Sequence, residues 1–533
     1  MSSTTKTVTK AAGIMMAAIL ASRLLGLVRE MVIASKFGAG GQVDAYAVAF
    51  QLPDLLYFLL SSGALSAAFI PVFTEYLTKG EEKEAWRVFS IVGTFIFTVL
   101  TGLIILCEVL APVLVPLVAP GFADKHRDLL PLAVHLTRVV LPAQLFFLIG
   151  GLVMATLYSR QHFLSPAVGP VIYNIGIICG GLLLAGTIGI AGLTWGALVG
   201  SFVGNFLLQV VVARRFGATY RPSLNLRHPG VVKVGKLALP VMLGLSLPYV
   251  DVIVNRAFGS LLNEGAVAAL NYANRLMQMP LGVFAQASAV ALFPTLAAHA
   301  ARKEMPELRS SINFGLRGIL LLTVPSSVLM IVLSTPIVRM LFQGGQFMPE
   351  DAPRVGYALI FYSLGLAAWA GQAVISRGFY ALQESLTPVI SGTAVTFVFI
   401  PLNWLLMKPL GHGGLALATS IAVTLHLLVM LEILRRRLGG LNGGLILKSF
   451  GKVLLASAGS GAAAWGAIAL IGRQVDVVTR GGAGIGVLFA GGVGVGVYAG
   501  LIALLKVDEA DQVWGQITRR FRRKKADAGT GEE

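Results

Sequence analysis

Long uncharged stretches set the rhythm of this chain. Phe163 to Ala213 carries no acidic or basic residue, and neither do Gly318–Val338, Val355–Ser376, Ser385–Met407 or Gly481–Leu505. An α-helix rises 1.5 Å per residue, so about 20 apolar residues cross a hydrocarbon layer roughly 30 Å thick. Each of these runs is long enough for one crossing, and Phe163–Ala213 is long enough for two. Charges and turn residues then divide the whole sequence into about fourteen helical segments. Their expected positions are 11–35, 45–73, 87–117, 130–158, 163–185, 189–213, 231–257, 265–299, 311–341, 355–380, 385–407, 412–434, 450–472 and 481–505. The fold class expected is an all-α polytopic membrane protein.

Composition agrees: 56% of the 533 residues are hydrophobic, only 13% are charged, and the mean hydropathy is +0.79. A soluble chain of ordinary make-up carries about 25% charged residues. The net charge of +17 reads as a topology signal, because Lys and Arg collect on the cytoplasmic side of a membrane. Basic clusters at Arg214–Lys236, Arg435–Lys452 and Arg519–Lys525 fall on one side if fourteen segments alternate, which puts both termini in the cytoplasm. A tail like 519–525 beside a membrane suits anionic lipid headgroups better than nucleic acid. Cys107 and Cys179 lie inside apolar runs and form no disulfide framework. The first apolar segment has no small-residue cleavage site after a short core, so it is expected to be retained.

A shift of 222 residues lays the sequence over itself. "YSRQHFLSP" from Tyr158 meets "YALQESLTP" from Tyr380, "GIAGL" from Gly189 meets "GHGGL" from Gly411, and Arg214, Arg215 and Gly217 meet Arg436, Arg437 and Gly439. At a shift of 224, "FQLPDL" from Phe50 meets "NRLMQM" from Asn274. Two six-helix lobes, 1–222 and 223–442, followed by two further helices in 443–507 and a basic tail in 508–533, account for this. Six is even, so the halves run the same way through the bilayer, and repeats of that kind place a transport site between the halves near the midplane.

Charges inside the apolar segments mark that site. A charged side chain at the bilayer centre costs at least about 2.5–3.5 kcal/mol, so it faces a wet cavity or a partner. Arg23 and Glu30 are seven residues apart, on one face of the first helix, with Arg29 nearby above Ser22 and Gly26. Arg275 lies in the eighth segment beside Asn271, Asn274 and Gln278. Arginines outnumber the glutamate, which suits an anionic substrate with phosphate or carboxylate groups. An alternative is an Arg–Glu pair that only holds helices together. Asp44 opens the second segment on the outer side and is expected to close an outer gate by pairing with Lys36 or a cavity arginine, or else to cap a helix; Asp54 lies deeper, and with Glu30 these acids are the gating or charge-pairing candidates. Arg138, with His135 near it, is expected to snorkel, Asp251 is a candidate ion site, and His299 and His426 read as packing residues. No phosphate loop, H-E-x-x-H or Cys/His metal spacing occurs. The expectation is a transporter that is not an enzyme and needs no metal or cofactor, with uphill movement driven by a gradient or the membrane potential.

"SRLLGLVRE", "FGAGGQVDAYAVAFQLPDLL", "GALSAAFIPVF", "NYANRLMQMPLGVF" and "FYALQESLTPV" closely resemble the lipid II flippase family (MurJ, also called MviN). That family belongs to the multidrug/oligosaccharidyl-lipid/polysaccharide exporter superfamily. The resemblance runs from about Ser22 to Leu438. It implies a two-lobed flippase of the bacterial inner membrane that turns lipid-linked peptidoglycan precursor outward by alternating access. It also implies that Arg23, Arg29, Asp44 and Arg275 serve the pyrophosphate and acidic headgroup, and that the last two helices form a groove for the polyprenyl tail. The partners implied are lipid II, membrane lipids and cell-wall synthesis machinery. Gln51 and Tyr57 stand where many members carry basic residues, Ser62 where an acid often precedes the Gly, Gln278 where some relatives have an acid, and Asn255 and Asn403 where some members have acids of a cation site. Competing readings are an exporter of another polyprenyl-linked glycan, a multidrug-type antiporter, for which an acidic or aromatic cavity is expected, and a membrane enzyme acting on lipid-linked sugars.

Overall fold

A computed structural model of the protein describes residues 3–60, 64–246, 250–507 and 509–510. Ser62 and the basic stretch Arg519–Lys525 lie outside the described residues. Among the described residues there are helices and no strands, with one isolated bridge between Gly344 and Phe347. Eight of these helices are long and apolar enough to cross a membrane, or nine when the pair Asp351–Leu364 and Leu366–Ala381, bent by 41°, is taken as one span. Leu386–Leu438 runs 53 residues, about 80 Å at the helical rise and more than two bilayer crossings. Gly411, at φ 56° and ψ −133°, breaks it into two arms, because only glycine reaches that conformation without strain. Large apolar side chains stand out on the helices, with Leu117 74%, Leu183 75%, Phe397 74% and Leu488 76% exposed. Such a surface is stable only in a lipid-like solvent.

The described residues pack as two compact units, those within Met1–Ala268 with Gly344–Met348, and those within Ala269–Gln343 with Pro349–Glu533. In the first unit, helix Ser3–Phe37 packs on Leu164–Leu183, which in turn packs on Ala191–Gly200. That second contact is backbone against backbone: a Cβ added at Gly196 would stand 2.3 Å from the Gly176 carbonyl oxygen, and one at Gly180 2.2 Å from that of Gly192. Small residues four apart allow this close approach where no hydrophobic force between helices operates in lipid. An aromatic cluster of Phe69, Phe73, Trp86 and Phe89 joins Ala64–Thr78 to Glu82–Val118, with edge-to-face and stacked rings 5.1–6.4 Å apart. Helix Pro229–Ser246 also packs against Ala64–Thr78.

In the second unit, Met305–Val332 packs on Leu366–Ala381 and on Gly443–Ile471, which pairs with Arg480–Leu504. Leu316, Ile319, Phe379 and Met430 lie in its core. Lys452 Nζ donates to the carbonyls of Leu505 (2.7 Å) and Lys506 (2.9 Å), satisfying the end of the last long helix.

The sequence repeat reappears in the backbone. Left-handed φ values occur at Gln161 and Gln383, at Gly189 and Gly411, and at Gly217 and Gly439, each pair 222 residues apart. Non-glycine residues rarely adopt positive φ, so its recurrence at two glutamines is informative. The caps match as well: Gln161 N–H bonds to Tyr158 O and His162 N–H to Leu157 O, while Gln383 N–H bonds to Tyr380 O and Glu384 N–H to Phe379 O. Both are the 6→1 helix ending in which a left-handed residue closes the last turn.

Candidate functional site

The first helix carries its charges into the packed part of the first unit. Glu30 is 8% exposed, and its Oε1 accepts a 2.6 Å hydrogen bond from Arg29 Nη2. Arg29 Nη1 donates to Asn174 Oδ1 at 3.2 Å, and Asn174 Nδ2 donates in turn to Pro170 O and, at 3.4 Å, to Ser22 Oγ. Spacing placed Glu30 on the face of Arg23, while its ion pair is with the adjacent Arg29. Adjacent residues diverge by about 100° on a helix, but a long Arg side chain bends back, and Asn174 fixes it there. Arg23 is exposed and makes no ion pair among the described residues. Arg29 Nε is buried without a hydrogen-bond partner. A guanidinium offers five donors, so this group is tied on one edge and has spare capacity.

Asp44 is 4% exposed. Its Oδ2 accepts from Gly265 N–H (2.6 Å) and its Oδ1 from Ala268 N–H (2.7 Å). The carboxylate thus caps helix Ala266–Pro280 and not its own. A carboxylate on two N–H groups at a helix N-terminus also meets the positive end of the helix dipole. That helix carries Asn271, Asn274, Arg275 and Gln278. Gln278 Nε2 donates to Asn274 Oδ1, and Arg275 is exposed.

Asp54 Oδ2 pairs with Arg256 Nη1 at 3.4 Å. Arg256 was not singled out in the sequence, although "VDVIVNRAF" shows a cation in an apolar run. Gln51, 1% exposed, donates to Val118 O (3.0 Å) and Ile253 O (3.2 Å), stitching three helices. Asn174 was also missed; an amide inside an apolar stretch was its only signal. Arg138 Nε donates to Glu108 O at 3.0 Å while nearly half exposed. Asp251 Oδ1 accepts from Val252 N–H. His426 has both ring nitrogens engaged, by Gln372 (2.9 Å) and Ser391 (3.0 Å), and His299 pairs with Glu304 at 2.7 Å, both consistent with packing roles. Among the described residues, no three His, Cys, Asp or Glu side chains gather to hold a metal ion.

A family described as "Lipid II flippase MurJ" matches residues 33–479. The lipid II flippase MurJ of Burkholderia cenocepacia is 31% identical over 424 residues, covering 78% of this chain and 82% of that protein. A solved structure of lipid II flippase MurJ in an inward closed conformation superposes with a TM-score of 0.77 at 26% identity, covering 93% of this chain and 99% of that one. An inward-facing multidrug resistance MATE family transporter of the MOP superfamily aligns with a TM-score of 0.64 at 16% identity, covering 79% and 96%, a likeness of fold.

Proposed function

The chain belongs to the lipid II flippase MurJ family, and from that premise we propose how its own residues serve the task. It is a multi-pass inner-membrane flippase of lipid II, the polyprenyl-pyrophosphate glycopeptide. It moves this precursor from the inner to the outer leaflet by alternating access, through fourteen spans arranged as lobes 1–222 and 223–442 and the pair in 443–507. Both termini face the cytoplasm, and the tail 508–533 meets anionic membrane lipids and, in the cell, cell-wall synthesis proteins. The chain is a transporter and performs no covalent chemistry. Drug-type export is the weaker reading, since the MATE likeness is one of fold alone and the membrane-embedded charges here are chiefly arginines.

The observation that carries the site assignment is Arg29. A guanidinium held inside a membrane protein by Glu30 and Asn174, one N–H of each Nη engaged and the side chain still 14% exposed, is oriented and still able to bind. An incoming pyrophosphate supplies acceptors in a dry setting, where each charge-assisted bond is about twice as strong as a neutral one. Arg23, Arg275 and Asn274 join it as substrate-binding residues. Glu30 limits the positive charge when substrate is absent, while Asp44 and Asp54 set the helices that carry the binding groups. Each net negative charge carried out of a negative interior gains about 2.3 kcal/mol per 100 mV, so the potential alone can drive release.

The test is complementation. A bacterium depleted of its own flippase and supplied with this chain should regain outward exposure of lipid II. Arg29→Ala should abolish that rescue with normal insertion, and Arg29→Lys should recover only part of it, because an ammonium lacks the planar fork. Full rescue by Arg29→Ala would assign Arg29 to packing alone.

A further inference from the structure

A slot on the flank of the first unit has no part in the site above. It encloses about 590 Å³ between three helices, within the range of ligand pockets. Its walls run from Phe89 to Phe97, from Leu145 to Val153 and from Phe206 to Arg214. Each wall is nine residues long, about 12 Å of helix from end to end, close to the roughly 15 Å of one leaflet's hydrocarbon. The lining is apolar except at one end, where Arg214, Thr219 and Tyr220 stand. An extended strap closes that end. Arg221 N–H bonds to Ser90 Oγ (3.1 Å), Ser223 N–H to Thr94 Oγ1 (3.3 Å), and Tyr220 OH to Thr94 Oγ1 (2.9 Å).

Charge decides the occupant. Of the acids on this end of the unit, Glu82 is engaged by Arg160, Glu84 by Arg87 and His228, and Glu75 by Lys79 and Lys233, and Glu81 does not line the slot. Arg214 makes no ion pair among the described residues, and no acidic side chain lines the slot. A soluble anion leaves 12 Å of apolar wall unfilled, and a neutral lipid leaves the guanidinium without a counter-charge. We propose that this slot binds an anionic glycerophospholipid of the adjoining leaflet, one acyl chain between the three helices and the phosphate on Arg214. Tyr220 sits 52% exposed at the boundary, where aromatic residues with one polar end are favoured.

The full chain in nanodiscs containing phosphatidylglycerol or phosphatidylcholine, ejected into native mass spectrometry, tests this directly. Wild type should retain one phosphatidylglycerol with about five-fold preference over phosphatidylcholine, the contribution of one surface cation. Arg214→Gln should bring the preference near unity while leaving a lipid bound, and Val210→Trp or Ile149→Trp should lose the lipid of either headgroup. On the wild type, phosphatidylglycerol with a photoreactive acyl chain should label peptides 89–97, 145–153 and 206–214. Equal retention of both lipids by wild type, an unaltered preference in Arg214→Gln, or labelling concentrated on other helices overturns the proposal. The labelling arm needs no variant, so a misfolded tryptophan mutant leaves the test intact.

Discussion

Replacing Asp44 with alanine should loosen the first turn of helix Ala266–Pro280 without touching that helix's own sequence. Two short hydrogen bonds, 2.6 and 2.7 Å, run from Gly265 N–H and Ala268 N–H to a carboxylate that is 4% exposed. Truncation leaves both donors buried, at about 1–3 kcal/mol each, and removes a cap whose loss alone costs about 1 kcal/mol. The two descriptions overlap, so about 3 kcal/mol is the expected total, or roughly 150-fold in local opening. Asp44→Asn keeps one acceptor and turns an N–H against the other donor, so about half of that loss is expected. Hydrogen–deuterium exchange followed by mass spectrometry reads this locally: peptides covering 263–270 should exchange roughly 150-fold faster in Asp44→Ala and about ten-fold faster in Asp44→Asn. Peptides from Leu386–Leu438 should not change. Lipid II exposure should fall in the same order, since the helix carries Asn274 and Arg275. Exchange at Gly265 and Ala268 within three-fold of wild type in Asp44→Ala would falsify the capping role and with it the part given to Asp44 in setting that helix.

Other consequences follow from single contacts. Gly196→Leu drives a side chain into the Gly176 carbonyl and should cost at least about 1–3 kcal/mol, seen as a lower melting temperature in detergent; an unchanged melt would mean the helices slide apart freely. Glu509, 2% exposed, pairs with Arg317 and accepts from Ser449 Oγ at 3.2 Å. Arg317→Met or Glu509→Met alone should destabilise by about 3–5 kcal/mol, while the double change should restore most of the loss; additive losses in that cycle would deny the pairing. Hydrogen bonds from Lys233 and then Lys79 hold the exposed Glu75 carboxylate down at about 2 from the usual 4.5. A folded value below the unfolded one adds stability above pH 4.5 that disappears as pH falls toward 2. Glu75→Gln should flatten that part of the stability profile, and equal acid sensitivity in both proteins would remove Glu75 from the account.

Much of the architecture was legible because the bilayer acts as the solvent. Backbone polar groups in lipid must be satisfied within the segment, so an uncharged run of about twenty residues has one stable fate, the helix. Repeat spacing was legible for a related reason. A cap such as "YSRQHFLSP" is a local structure, and its copy at Tyr380 folded into the same left-handed turn, at Gln383 as at Gln161. The family, too, could be read from local motifs around Arg23, Asp44 and Arg275. Hydropathy was blind to which side chains meet.

Spacing put Arg23 and Glu30 on one helix face, while packing of a second helix brought Asn174 to Arg29, which pairs with Glu30. Asp44 finds Gly265 and Ala268 more than 220 residues away. Arg256 becomes the partner of Asp54, and three unrelated nine-residue stretches become the walls of one slot. Helix formation is a transaction between each residue and its near neighbours in lipid, so it is written in order along the chain. Polar contacts inside a membrane depend on which faces the close-packed glycines and aromatic clusters turn together, and only the assembled tertiary structure decides that.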